Sequence, residues 1–158
     1  MAAVEFAMVA PIFIAMMLGI LQITLIFFAK ETLETVTEAA ARGVLTGQVK
    51  ASGATQAQFH QAICDNYIPA LFTCSGVMVD LQPAASLSNI DTSEPALTFS
   101  GGAVTNPWAF NTGTKGTVMV MRVMYQWPLF TGPLGINFSN LSNGNLLIMA
   151  TAVFKNES

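Results

Sequence analysis

The amino-acid sequence predicts an α+β fold: a long N-terminal α-helix packed on a small antiparallel β-sheet, with one short extra helix. Three observations predict it. The stretch Phe6–Ala29 carries no charged residue and runs on into helix-forming sequence. Two later segments, 117–127 and 146–154, are long enough and apolar enough to be buried strands. Between them and the first helix, Thr55-Gln56-Ala57-Gln58 has the form of a capping box ahead of a helical apolar face.

The first element takes the most space. Twenty-four helical residues from Phe6 to Ala29 reach roughly 36 Å, enough to cross a bilayer. The start, Met1-Ala2-Ala3-Val4-Glu5, holds an acid and no Lys or Arg, unlike a secretory signal. No cleavage site ends the apolar run; it continues through Lys30 to Glu38 in residues that favour helix. One helix is therefore expected over 1–47, apolar over 6–29 and amphipathic over 30–47, followed by a β-rich globular domain over 48–158. Such a helix belongs in a membrane, in a bundle of its own kind, or in each at different times. Pro11 removes one helical hydrogen bond and Gly19 adds backbone freedom, which predicts a kink or an unwound stretch between them. In the second half Leu33, Val36, Ala40 and Val44 share a face, with Glu31, Glu34, Glu38 and Arg42 mostly off it. Glu38 and Arg42 are spaced to pair. Gly43 and Gly47 weaken the end, so the helix is expected to stop near Gly47.

The short extra helix follows the capping box and ends at Pro69. The rest reads as β. Val77–Gln82 alternates and stops at Pro83. A loose section, Ala84 to Thr112, holds a short strand around Ala96 to Phe99. The strongest strand, Thr117–Trp127, puts Met119, Met121, Val123, Tyr125 and Trp127 on one face. Its other face, with Val118, Val120, Arg122 and Gln126, is expected to be only partly buried. The last strand, Leu146–Phe154, is apolar on both faces and should pair antiparallel with it, under the long helix.

Composition bounds the function. Charged residues are 9% of the 158, against roughly a quarter in ordinary soluble domains. That suits a chain packed against copies of itself better than a freely diffusing enzyme. The six Lys and Arg are scattered singly, which argues against nucleic acid. There is no Gly-rich phosphate loop, and one histidine cannot plausibly serve a Ser-His-Asp set, so no enzyme activity and no cofactor are expected. The acids Asp65, Asp80, Asp91 and Glu94 read as isolated surface or turn residues. Asn137, Asn140 and Asn156 begin Asn-x-Ser sequons, a weak signal in Asn/Ser-rich sequence.

The two cysteines, Cys64 and Cys74, lie ten apart. In a chain with a membrane-type N-terminus they read as a disulfide, with two unpaired thiols as the alternative. A zinc site is disfavoured, since His60 offers only a third ligand and there is no Cys-x-x-Cys. His60 itself reads as a surface histidine. Glu5 is the residue most in need of explanation. A carboxylate at the head of an apolar helix is costly to desolvate. The helix dipole offsets part of that cost, and the remaining need is for a cation. The nearest positive group is an N-terminal amine, the chain's own or a neighbouring copy's.

The run Ala2-Ala3-Val4-Glu5-Phe6-Ala7-Met8-Val9-Ala10-Pro11 and the apolar stretch after it resemble the start of TadE-like proteins. These are pilin-like proteins associated with tight-adherence (Flp-type) pili, in the wider type IV pilin superfamily. The continuation Glu38-Ala39-Ala40-Ala41-Arg42 is similar too, as are Val120–Pro128 and Thr151–Glu157. The likeness covers residues 1–45 well and the C-terminal strands less specifically; the middle is not distinctive. The resemblance implies a type IV pilin-like fold. It also implies cleavage by an inner-membrane prepilin peptidase just before the apolar segment. The acid at the fifth mature position then meets the N-terminal amine of an adjacent subunit. Glu5 is fifth if Met1 is the mature first residue, which fits the missing basic leader; if Met1 is an initiator, that fit is lost. On this basis Met1, Glu5, Phe6, Pro11 and Gly19 are the expected assembly residues. The expected partners are further copies in a helical filament, the pilus assembly machinery and the peptidase. The expected location is the inner membrane before assembly and the cell surface after it. The competing reading is a membrane-anchored minor pseudopilin or assembly factor with no filament of its own.

Overall fold

The computed structural model describes residues 2–69, 71–86, 88, 90–101, 103–129 and 137–157. Met1 lies outside the described residues, as does 130–136 within the connection between the last two long strands. Helix α1 spans Ala2–Leu45, α2 Gln48–Ala51 and α3 Gln56–Tyr67. Strand β1 spans Val77–Ala84, β2 Phe99–Ser100, β3 Ala103–Val104, β4 Val118–Trp127 and β5 Leu146–Lys155. The fold is the expected α+β arrangement, α1 lying on a small antiparallel sheet, with two short extra helices rather than one.

Helix α1 is unbroken through Pro11 and Gly19, so no unwound stretch lies between them. It ends at Leu45, close to the predicted stop near Gly47, whose φ of 75° turns the chain out of right-handed helix. The chain then forms α2, one turn that the sequence reading did not anticipate. The α3 capping box is present: Thr55 accepts from the Gln58 backbone, and the Gln58 side chain accepts from the Thr55 backbone.

The main sheet has the order β1-β4-β5, both pairs antiparallel. Tyr125 stands opposite Val77 and Ile148; Val118 stands opposite Ala84 and Lys155. Strand β1 runs through Pro83 instead of stopping there. The register explains why. Leu81 directs its N–H and C=O away from β4, to Ala109 O and Asn111 N, both at 2.9 Å. Pro83 is two residues on and has the same orientation, so the amide hydrogen it lacks would have pointed off an edge strand.

One face of the sheet packs on α1. Leu33, Val36, Ala40 and Val44 are all buried, and they join Met119, Met121, Val123, Ile148 and Ala150 in the main core. The ring of Phe72 meets Tyr125 edge-on at 4.9 Å and Trp127 at 5.7 Å. Gly76 permits this: a Cβ there would lie 2.7 Å from Tyr125 Cε2. The opposite face of β4 is more covered than its polar residues imply. Met124 is fully buried, and Met78 and Leu147 join it beneath Leu97, Val104, Trp108, Leu141 and Met149. The section that read as loose therefore forms a second layer. Its short hairpin is β2–β3, slightly later than the strand expected at Ala96 to Phe99.

Asp80, expected at the surface, and Arg122, expected on an only partly buried face, are both buried to build that layer. Asp80 accepts from the Ala109 N–H at 2.9 Å and from Gln82 Nε2 at 3.1 Å, tying the layer to β1. Arg122 Nη2 donates to the Asp91 carbonyl at 2.6 Å, while its buried Nε has no partner among the described residues. Hydrogen bonds from Ser93 and the charge of Arg122 hold the Asp91 carboxyl below its ordinary range. Asn156 is also buried and donates to the Thr112 carbonyl at 2.8 Å, which closes that sequon to modification in the folded chain.

The exposed apolar helix and the stapled histidine as candidate sites

The first half of α1 combines good helix formers with bulky apolar side chains. Thr24, a polar interruption, returns its hydroxyl to the Ile20 carbonyl at 2.9 Å. From Val4 to Ile23 the large side chains face outward all round the helix, as do Phe27 and Phe28; Phe6 is 74% exposed, Phe13 60% and Phe27 62%. The row extends for about 36 Å. Burying each such side chain stabilises by about 1.5–3 kcal/mol, so the row is a binding surface and not a surface for water. It is the one helix, among the described residues, long and apolar enough to cross a membrane.

Contact with the sheet begins at Leu25, Ile26 and Ala29, which pack on the main core. Charge returns at once after that: Lys30 Nζ lies 4.0 Å from Glu34 Oε1. This is the ion pair found among the described residues; Glu38 and Arg42, which were expected to pair, do not. At the other end Glu5 is exposed in the first turn, where the helix dipole favours an acid. It meets no ionic partner among the described residues. Gly19 is helical, and a Cβ there would touch nothing within 4 Å, so the chain's own packing does not require a glycine.

The second cluster is on the globular part. Cys64 on α3 and Cys74 are joined, with Cα atoms 5.6 Å apart. The bridge pins α3 to the turn that leads into β1. His60 is not the surface residue expected. It is half-buried, with Nε2 2.9 Å from the Val77 carbonyl and Nδ1 3.9 Å from Cys74 Sγ. The sequence held one unread clue: His60 and Cys64 are four apart on a helix and so share a side. That Cys74 returns to the same side is a tertiary fact.

The helix geometry fits the resemblance seen in the sequence, and a comparison with protein-family models agrees. Residues 1–42 match the family model described as TadE-like protein. The match covers the apolar half of α1 and most of the half that lies on the sheet. Taken with the apolar helix, it fits a protein associated with a tight-adherence pilus. No curated protein and no solved structure matches the chain.

Proposed function

We propose that the chain is a structural, non-enzymatic subunit of a tight-adherence-type pilus, assembling through the apolar half of α1. The observation that carries this reading is the all-round exposure of apolar side chains from Val4 to Ile23, beside a globular part with its own filled core. A helix apolar on one side needs one partner surface; a helix apolar on every side needs to be surrounded. Lipid surrounds it before assembly and helices of neighbouring copies surround it afterwards. Burial then supplies the driving force, at about 25 cal/mol per Å² of apolar surface.

In this reading Glu5 takes the N-terminal amine of a neighbouring copy as its partner. Phe6 supplies exposed ring surface to the bundle. Gly19 leaves a notch where another helix approaches closely, and Pro11 leaves a carbonyl for a neighbour to satisfy. The globular parts form the outside of the filament at the cell surface. The reading with a single anchored copy and no filament draws on the same helix, which is long enough to span a bilayer alone.

Negative-stain electron microscopy of material sheared from cells, kept free of detergent, separates the two. Uniform filaments that contain this chain are expected, with Glu5→Ala reducing their yield at least tenfold while the purified variant keeps its fold. Extraction only in detergent, with no filaments, would establish the anchored accessory protein instead.

A further inference from the structure

One ligand atom each from His60, Cys64 and Cys74 lies within 4.8 Å of the other two. The ring orientation of His60 is specific. Its Nε2 faces the Val77 carbonyl at 2.9 Å. A carbonyl only accepts, so in the neutral ring Nε2 carries the proton and donates. Nδ1 is then bare, and it points at the sulfur of Cys74. An imidazole whose far nitrogen donates to a backbone carbonyl, while its near nitrogen presents a lone pair to thiols, has the arrangement of a metal ligand with its supporting hydrogen bond.

We propose that His60, Cys64 and Cys74 bind a zinc-class divalent ion while the two cysteines are thiols, and that metal loading and disulfide closure exclude each other. The ion takes Nδ1 and two thiolates, and the two thiol protons go to solvent. Closure by a disulfide oxidant removes two electrons and two protons from the pair and leaves no thiolate for the metal.

The distances favour the exchange. Zinc–sulfur bonds of about 2.3 Å and a zinc–nitrogen bond of about 2.0 Å, arranged tetrahedrally, put the sulfurs about 3.7 Å apart and nitrogen about 3.5 Å from each. The Cys74 Sγ–Nδ1 separation is already 3.9 Å, and the Cα–Cα separation of 5.6 Å lets the sulfurs part by side-chain rotation. Three protein ligands leave a fourth position. An open cavity of about 530 Å³, lined by His60, Gln56, Ser75 and Trp108 among others, adjoins the histidine, although neither cysteine lines it. This inference does not depend on the filament reading.

The test uses the full chain in detergent micelles, reduced with a phosphine and titrated anaerobically with Co²⁺. Reduced wild type is expected to develop thiolate-to-cobalt absorption in the near ultraviolet and tetrahedral bands in the visible, saturating at one equivalent and removed by Zn²⁺. His60→Gln is expected to weaken binding at least tenfold and shift the visible bands, with its circular dichroism unchanged. The oxidised chain is expected to show neither band. A second measurement covers loss of fold in the variant: Zn²⁺ should slow closure of the reduced wild-type pair by oxidised glutathione at least tenfold. Absence of the bands in reduced wild type, equal bands in the oxidised chain, binding untouched by His60→Gln in a folded variant, or closure unaffected by Zn²⁺ would each overturn the site.

Discussion

The two halves of α1 are one helix with two different surroundings. From Ala29 to Val44 the side chains that face the sheet are buried and those that face away are charged or small. From Val4 to Phe28 the side chains are apolar in every direction, and nearly all of them are exposed. Backbone geometry is continuous across the junction. The difference is therefore in what each half is complementary to. A narrow apolar stripe matches one sheet face within the same molecule. A cylinder of apolar residues matches only a medium or a bundle that encloses it. Under the proposed function, exposure in a single chain marks the working surface, whereas burial marks the part that holds the fold.

Substitutions can break this contrast. The largest expected effect pairs one residue from each half, in the full chain held in micelles. Leu33→Ala, at a fully buried position, should lower unfolding stability by about 3 kcal/mol. Phe13→Ala, in the outward-facing half, should change it by less than about 0.5 kcal/mol. Denaturant unfolding followed by tryptophan fluorescence measures both. A loss of comparable size for Phe13→Ala would mean that the first half also packs on the globular part.

The disulfide sharpens the contrast from the other side. Cys64→Ser should reduce stability by roughly 2–3 kcal/mol under oxidising conditions, on the chain-entropy account of a short loop. Reductant should bring wild type down to the variant's level. The same variant should partition into micelles like wild type, since the bridge lies away from the apolar surface. Equal melting temperatures with and without reductant would remove the bridge from the list of stabilising features.

A smaller effect is expected at the α3 cap. Thr55→Ala removes the acceptor for the Gln58 N–H and should cost about 1 kcal/mol. Thermal unfolding by circular dichroism reads it directly; a change within error would show that the backbone of α3 is held by packing alone. The smallest effect lies at the junction of the two halves. Lys30 and Glu34 are exposed and just within ionic range, so Lys30→Ala should change stability by at most about 0.5 kcal/mol, and less in high salt. A larger, salt-sensitive loss would mean that this pair does more than mark where the apolar surface ends.

Much of this was written in local sequence. The uninterrupted apolar run, the spacing of Leu33, Val36, Ala40 and Val44, the Thr55–Gln58 cap and the alternation along β4 each follow from periodicity or from a hydrogen bond between near neighbours. Such features depend on residues a few positions apart, so the chain states them without help. The end of α1 near Gly47 belongs with them, because a left-handed backbone is a local property of glycine.

Other features were decided only when distant segments met. Pro83 reads as a strand terminator until the register shows its nitrogen on the free edge of β1. Asp80 reads as a surface charge and Arg122 as only partly buried until Leu97, Val104 and Trp108 close over that face of the sheet and the residues gain backbone partners in Ala109 and Asp91. His60 reads as a solvent-facing residue until the tertiary fold sets its Nε2 against the Val77 carbonyl and its Nδ1 beside Cys74. Asp80, Arg122 and His60 are tolerated because remote backbone groups hydrogen-bond to them; Pro83 is tolerated because its place on an edge strand asks for no amide hydrogen. The sequence by itself determined the long helix, the capped helix, the two long strands and where the apolar surface lies; the tertiary structure decided the short elements and which polar groups are buried, because a buried polar group depends on partners that lie far away along the chain.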